Sequence, residues 1–345
     1  MFERVGPAVD VAARSIVSSP FGLIWTPASL PSLAAWYEAV DVPATLVRAT
    51  APTLVNGSCE DLTGWSALND AVISNVAAIA PTGANAIKIA HDGTANAKMR
   101  QAVLTSGNRY SISGYTEPGP QGRNLSIYYG ADLVYTGGGS GLTNFSADHT
   151  AGSSNLDILT GAQASGEYNT VDNITLTNLS RTRWNPTAGS LGGYLAQATA
   201  ANQPWWDATN SGIRFPGGGT GFGDNFASSI AASNWAFLTS ATSSFFVFET
   251  DTIAAGIDAI IGTVSGVATH GLAITRTGSE IAIYYANNTG SYETITSSGA
   301  GLTAGAKHLL EYHLTGGALE VLLNGSSIIS TNPTKLAVSC TNPLY

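Results

Sequence analysis

The feature that most constrains the fold of this chain is a two-residue rhythm. Apolar and polar residues alternate in short runs, each broken by Gly, Asn or Pro. Between Thr53 and Ser180 the runs are "NAIKIAHDG", "RYSISGYTE", "NLSIYYGADLVYTG", "NLDILTG" and "DNITLTNL". After Tyr194 they are "GIRFPG", "SSFFVFETD", "DAIIGTVSG", "HGLAITRTG", "EIAIYYANN", "HLLEYHLTGG" and "LEVLLNGSSIIS". Successive side chains of a strand point to opposite faces, so this period buries one face and solvates the other. Many such runs, with no helix-length periodic segment among them, predict β-sandwiches. No fixed period of about 20–50 residues recurs, which excludes a solenoid or propeller. Gly316-Gly317, inside "LTGGALEVLLNG", predicts a tight hairpin.

At 345 residues the chain is long enough for two domains. Charged residues make up 11% of it, against about 25% in an average soluble protein. An apolar content of 44% and 39 glycines indicate turn-rich, ordered β structure rather than disorder. A net charge of −9 without a Lys/Arg run excludes a nucleic-acid partner. It also disfavours an acidic polysaccharide as main ligand, leaving only a local basic groove open. No apolar run reaches the roughly 18 residues of a membrane span, so no membrane insertion is expected. Cys59 and Cys340 are expected as two buried free thiols, with a long-range disulfide as the alternative.

The opening "MFERVGPAVDVAARSIVSS" lacks the basic and apolar regions of a secretory signal. A surface-type composition without an export address fits a virion component, made in a host cytoplasm and released by lysis. Within residues 1–30, Val9, Ala12, Ala13, Ile16 and Val17 fall at helical spacing. So short a stripe cannot bury itself alone. It is read as a docking segment for capsid or tail proteins, with packing on the chain's own body as the alternative.

Two resemblances sharpen the organisation. "LVNGSCEDLTGWSALNDAVIS" and "GEYNTVDNITLTNL" resemble the opening and closing segments of galactose-binding-like jelly rolls, the fold of many carbohydrate-binding modules. Cys59 stands where that family usually has a buried aromatic. "SLAAWYEA", "QATAANQPWWD", "GIRFPGG", "FFVFETD" and "LLEYHLTGGALEVLLNGSSII" resemble concanavalin A-like (laminin-G/pentraxin-type) sandwiches. The first of these five pieces lies far upstream of the others, with the jelly roll between. The expected fold is therefore all-β, with two β-sandwich (jelly-roll) domains, one inserted into the other. The expected boundaries are 1–30 for the docking segment, 31–51 plus 181–345 for the concanavalin A-like sandwich, and 52–180 for the inserted jelly roll. The ending "CTNPLY" falls where the second family continues into further strands, so a fragment, or strands supplied by another subunit, is expected.

The resemblances also imply chemistry. Glycosidases of the concanavalin A-like fold carry Glu-x-Asp-x-x-Glu on one strand. Here Glu249-Thr250-Asp251 lacks the third acid, and no other catalytic motif is present, so no enzyme is expected. Jelly rolls of the first type often hold a structural calcium, and Glu60 and Asp172 match the positions of its ligands. The alternative is that each acid caps a turn. No other cofactor is required. Trp65, Tyr115, Tyr128 and Tyr168 are the candidate aromatic platform for sugar rings, with core packing as their alternative. Of Trp205 and Trp206, alternation buries one and exposes the other.

These features lead to a structural virion protein, a fibre, spike or decoration component of a tailed phage or phage-like particle such as a gene transfer agent. Copies of the chain, as a trimer or pentamer, are expected to bind host surface polysaccharide through avidity. A polysaccharide-degrading enzyme and a ligand-free cement protein are the rival readings.

Overall fold

The computed structural model describes Tyr37, residues 44–69, 71–81, 83–93, 97–161, 164–215, 227–239, 242–250, 257–263, 270–287 and 292–336, and Cys340. The expected docking segment 1–30, Trp36 and Asp251 lie outside the described residues.

Strands dominate, and two 3₁₀ segments, Ala200–Asn202 and Ala232–Thr239, are the helical elements among the described residues. The chain opens with β1 (Leu46–Arg48), β2 (Ser66–Leu68), β3 (Ala71–Ala77), β4 (Asn85–His91), β5 (Lys98–Ala102) and β6 (Arg109–Pro118). It continues through β7 (Leu125–Tyr129), β8 (Asp132–Gly137), β9 (Thr143–Thr150), β10 (Asn155–Thr160), β11 (Tyr168–Asn178) and β12 (Arg181–Trp184). Short strands follow: β13 (Leu195–Ala196), β14 (Trp205–Asp207), β15 (Gly212–Arg214) and β16 (Ala227–Ser228). The last eight are β17 (Thr242–Glu249), β18 (Ile257–Gly262), β19 (His270–Thr277), β20 (Glu280–Asn287), β21 (Tyr292–Thr296), β22 (Lys307–Thr315), β23 (Ala318–Leu323) and β24 (Ser326–Thr331).

Two compact units result. One comprises Arg48–Thr182 with Ala198–Trp205; the other takes the chain up to Val47, Arg183–Gln197 and everything from Trp206. In the first unit, two five-stranded sheets, ordered β2-β5-β10-β7-β8 and β3-β4-β11-β6-β9, form a sandwich. The alternation seen in the sequence fills its core. Ile87, Ile89, Met99, Ile112, Leu125, Ile127, Leu156, Ile158 and Val171 are fully buried. Gly114 of β6 faces inward beneath Phe145, because a Cβ there would stand 2.6 Å from the Phe145 ring.

This unit begins and ends on adjacent backbone. Ala49 N–H donates to Ser180 O at 2.9 Å, and Asn178 Nδ2 donates to Thr50 O at 3.0 Å. The other unit's severed ends are tied in the same way: Asn185 donates to Thr45 O from its backbone and to Ala44 O from its side chain, both at 2.7 Å. Neighbouring ends of this kind are what allow one domain to interrupt another without strain.

The second unit is also a sandwich, of the four-stranded sheets β17-β22-β23-β24 and β18-β19-β20-β21. Leu310, Tyr312, Leu314, Leu319, Val321 and Leu323 of one sheet share a core with Leu272, Ile274, Ile281, Ile283 and Tyr285 of the other. The hydroxyls of Tyr285 and Tyr312 meet at 2.8 Å inside it, and Tyr312 lies 3.0 Å from Leu238 O as a donor. Tyr37, from the upstream "SLAAWYEA" piece, packs on this core and against the Trp184 ring at 5.5 Å. The expected hairpin is present. Thr315 pairs with Ala318 across Gly316 and Gly317, whose φ values of 59° and 84° match a type I′ turn.

Candidate functional site

The outer face of the sheet β2-β5-β10-β7-β8 is built by register. Ser66, Arg100, Asp157, Tyr128 and Leu133 are successive cross-strand partners, one from each of the five strands. Beside them runs a second row, Leu68, Lys98, Leu159, Ser126 and Thr136. In β5, β10 and β7 the residues of these rows sit between buried neighbours, Met99 and Gln101, Leu156 and Ile158, Ile127 and Tyr129 among them, so both rows face outward.

Asp157 anchors the site. It is 2% exposed, yet it stands on the outer face because two long cations cover it. Lys98 Nζ lies 2.9 Å from its Oδ2, and Arg100 grips both carboxylate oxygens, Nη2 at 2.6 Å from Oδ2 and Nε on Oδ1. Burial by itself raises the carboxyl's pKa, but the hydrogen bonds from Arg100 and Lys98 outweigh it and hold Asp157 below the usual carboxylate range. The same bonds raise the Arg100 guanidinium. The triad carries a net charge of +1, and its bidentate geometry fixes both cations in place. Tyr128, half-buried, is the cross-strand neighbour of Asp157, and Leu133 beside it is 50% exposed. A ring, an apolar shoulder and fixed N–H donors are thus presented together.

The four candidate aromatics do not form one platform. Tyr128 lies on this face. Trp65 is 6% exposed within the core, and its Nε1 donates to Asn56 O at 3.4 Å. Tyr115 and Tyr168 belong to the opposite sheet, on β6 and β11. One face of Tyr168 is taken by Lys88 Nζ, 4.1 Å from the ring centroid, and its edge packs on Gly119. Neither Trp205 nor Trp206 is fully buried or fully exposed: both are intermediate, and Arg109 lies over the Trp205 ring at 4.7 Å.

The two acids matched to calcium ligands are occupied by backbone N–H groups. The Glu60 carboxylate accepts from Ala84 N–H (3.0 Å) and Asn85 N–H (3.1 Å). Asp172, fully buried, accepts from Ile79 N–H (3.1 Å), Ala80 N–H (3.0 Å) and its neighbour Asn173 N–H (2.8 Å). Among the described residues no group of three His, Cys, Asp or Glu side chains is placed to hold a metal ion. Each carboxylate thus holds the backbone N–H groups of a neighbouring turn, the alternative role for the pair.

Cys59, next to Glu60 in sequence, is fully buried at φ 62°. Burial, reinforced by the charge of Asp172, pushes its thiol up to about 12. Both cysteines are free and buried. Glu249 ends β17 opposite Lys307.

The residues that sequence reasoning missed are Lys98, Arg100 and Asp157. The usable signal was the alternation in "KMRQA", with two cations two residues apart, but its long polar side chains do not mark a strand.

No protein-family model matches the chain, and no curated protein matches it. Solved structures similar to it include a family 61 carbohydrate-binding module in complex with β-1,4-galactotriose, at 16% identity and TM-score 0.29, covering 37% of this chain and 99% of that one. A second is the CBM22-1 xylan-binding domain of Paenibacillus barcinonensis Xyn10C, at 12% identity and TM-score 0.30, covering 40% and 97%. A third is the enzymatically active domain of bacteriophage CBA120 tailspike protein 4, at 12% identity and TM-score 0.29, covering 37% of this chain and 21% of that one.

Proposed function

We propose that this chain is a non-enzymatic, glycan-binding structural component of a tailed-phage or phage-like particle. Its jelly roll meets host surface polysaccharide through the outer face of the sheet β2-β5-β10-β7-β8. The observation that carries this reading is the row Arg100–Asp157–Tyr128. A pyranose offers an apolar face and a rim of hydroxyls. The Tyr128 ring takes the face, while the remaining N–H groups of Arg100 and Lys98 donate to the rim. Because Asp157 holds the cations in place beforehand, little side-chain entropy is lost on binding.

The attachment reading extends to partners. Residues 1–30 dock on capsid or tail proteins, and several copies display their sheet faces together. Weak contacts then add into avidity. The low charge supports close packing of neighbouring copies, since little like-charge repulsion opposes it. The concanavalin A-like character of the second sandwich belongs to the same reading, as the domain whose sequence the jelly roll interrupts. We read Glu60 and Asp172 as acceptors for turn N–H groups, so that no calcium is required. A glycan array probed with the full chain tests the binding, with signal expected for a defined set of saccharides and lost on Tyr128→Ala. Electron microscopy of particles with and without the protein tests the location.

A further inference from the structure

The strand β17 lies at one edge of the sheet β17-β22-β23-β24 and leaves that edge open. Among the described residues no strand pairs with its free side, and its pairing with β22 runs unbroken from Thr242 to Glu249. Native sheet edges are normally blunted by a bulge, a Pro, a charge or a covering loop. The other edges of this sandwich carry such devices. The register shifts between Ala259 and Ile261 of β18, and between Val321 and Leu322 where β23 meets β24. On β21, the Glu293 carboxylate holds the backbone N–H groups of Thr334 and Lys335. β17, "TSSFFVFE", has no Pro, no bulge and a single charge at its end. On its outer face Phe245 and Val247 are 42% and 38% exposed, while Phe246 and Phe248 pack on the core.

The direction of the open backbone groups is set by β22. Leu309 spends both of its groups on the β23 side: its N–H donates to Asn324 Oδ1 at 2.9 Å, and its carbonyl accepts from Asn324 N–H at 2.8 Å. Val247, opposite Leu309, therefore points its N–H and C=O away from β22. Alternation along the strand extends this to Ser243, Phe245 and Glu249. We infer that this edge is a self-pairing surface, on which a second copy of the chain lays its own β17 antiparallel about a two-fold axis at Phe246. That register sets Phe245 opposite Val247 of the partner subunit, and Ser243 opposite Glu249 of the partner subunit. Apolar then meets apolar, the carboxylate meets a hydroxyl, and no like charges are opposed. A parallel pairing in register would instead set the two Glu249 side chains together. Each opposed pair exchanges two backbone hydrogen bonds, which joins the two four-stranded sheets into one. The paired strands alone bury less than the roughly 1,200 Å² of a standard interface, so the pair dissociates on dilution. This contact is separate from the trimer or pentamer expected from the sequence, and it does not rest on glycan binding.

The test is sedimentation of the full chain over a concentration series, read together with hydrogen exchange. The expected result is a reversible monomer–dimer equilibrium. In the monomer the amides of Ser243, Phe245, Val247 and Glu249 exchange fast, while those of Ser244, Phe246 and Phe248 are protected; in the dimer both sets are protected. Val247→Pro removes an edge-facing N–H and spares the β22 ladder, and Phe245→Lys places a charge on the edge. Each is expected to weaken pairing by about tenfold or more with melting unchanged. A mixture of Phe245→Cys and Val247→Cys chains is expected to form a disulfide between copies under mild oxidation, which neither variant forms alone. A chain that stays monomeric at every concentration overturns the inference, as does a dimer that both edge variants leave intact.

Discussion

Asp157 shows how one residue can organise a site. Its partners Lys98 and Arg100 lie 59 and 57 residues away in sequence, so no local pattern reveals the triad. That Asp157 faces outward was legible in "NLDILTG"; that two cations bury it was not. Removing the carboxylate leaves those cations side by side without their partner. Asp157→Ala is therefore expected to destabilise the jelly roll by about 1–3 kcal/mol, measured by denaturant unfolding. The pH dependence has a definite sign. A carboxyl held below its usual range contributes stability that is present at neutral pH and lost as the pH falls below ~4 through its folded value. Unfolding curves of the wild type are expected to lose this contribution in acid, and those of Asp157→Asn are not. Cys59 and Cys340 make a separate prediction. With the thiols buried and their pKa values raised, neither is expected to react with a thiol reagent at neutral pH until the chain unfolds. Rapid labelling of the native protein contradicts their placement.

At the scale of elements, the strands that declared themselves were those rich in β-branched and aromatic residues, such as β4, β6, β7, β19 and β20. β5 did not, because "KMRQA" has helix-compatible side chains and owes its extended form to pairing with β2 and β10. β3, "AVISNVA", and β9, "TNFSADHT", were hidden for a similar reason, since small and polar residues break the alternation. The aromatics show the opposite failure. Alternation separates the two faces of a strand but not which sheet the strand joins, and so Tyr115 and Tyr168 were grouped with Tyr128 although they sit on the opposite sheet. Turns were the most legible feature, because positive φ favours glycine. Gly317→Val, at φ 84°, is expected to cost about 1–2 kcal/mol by straining the β22–β23 turn. Gly114→Ala is expected to cost about 1–3 kcal/mol for a different reason, since its Cβ would strike the Phe145 ring. Thermal unfolding of the two variants checks both values.

For the molecule as a whole, the split of "SLAAWYEA" from its downstream pieces was the readable sign of two units. The finer division was not readable. Ala198–Trp205 goes with the jelly roll, where Ala201 packs so closely on Gly107 that a Cβ there would stand 2.5 Å from the Ala201 nitrogen. Nothing in "ATAANQPW" announces that contact. Calcium is a prediction at this scale too. With Glu60 and Asp172 already satisfied by backbone donors, the melting temperature is expected to be the same in EDTA and in excess calcium; a rise with calcium contradicts this. The central claim is that the Tyr128 face binds sugar, and the most direct measurement is titration of the array-selected polysaccharide fragment into wild type and Tyr128→Ala. Loss of a stacking ring is worth about tenfold in affinity. One binding step per chain is expected to weaken by at least that factor while melting is unchanged; an identical isotherm for the two proteins contradicts sugar binding at Tyr128.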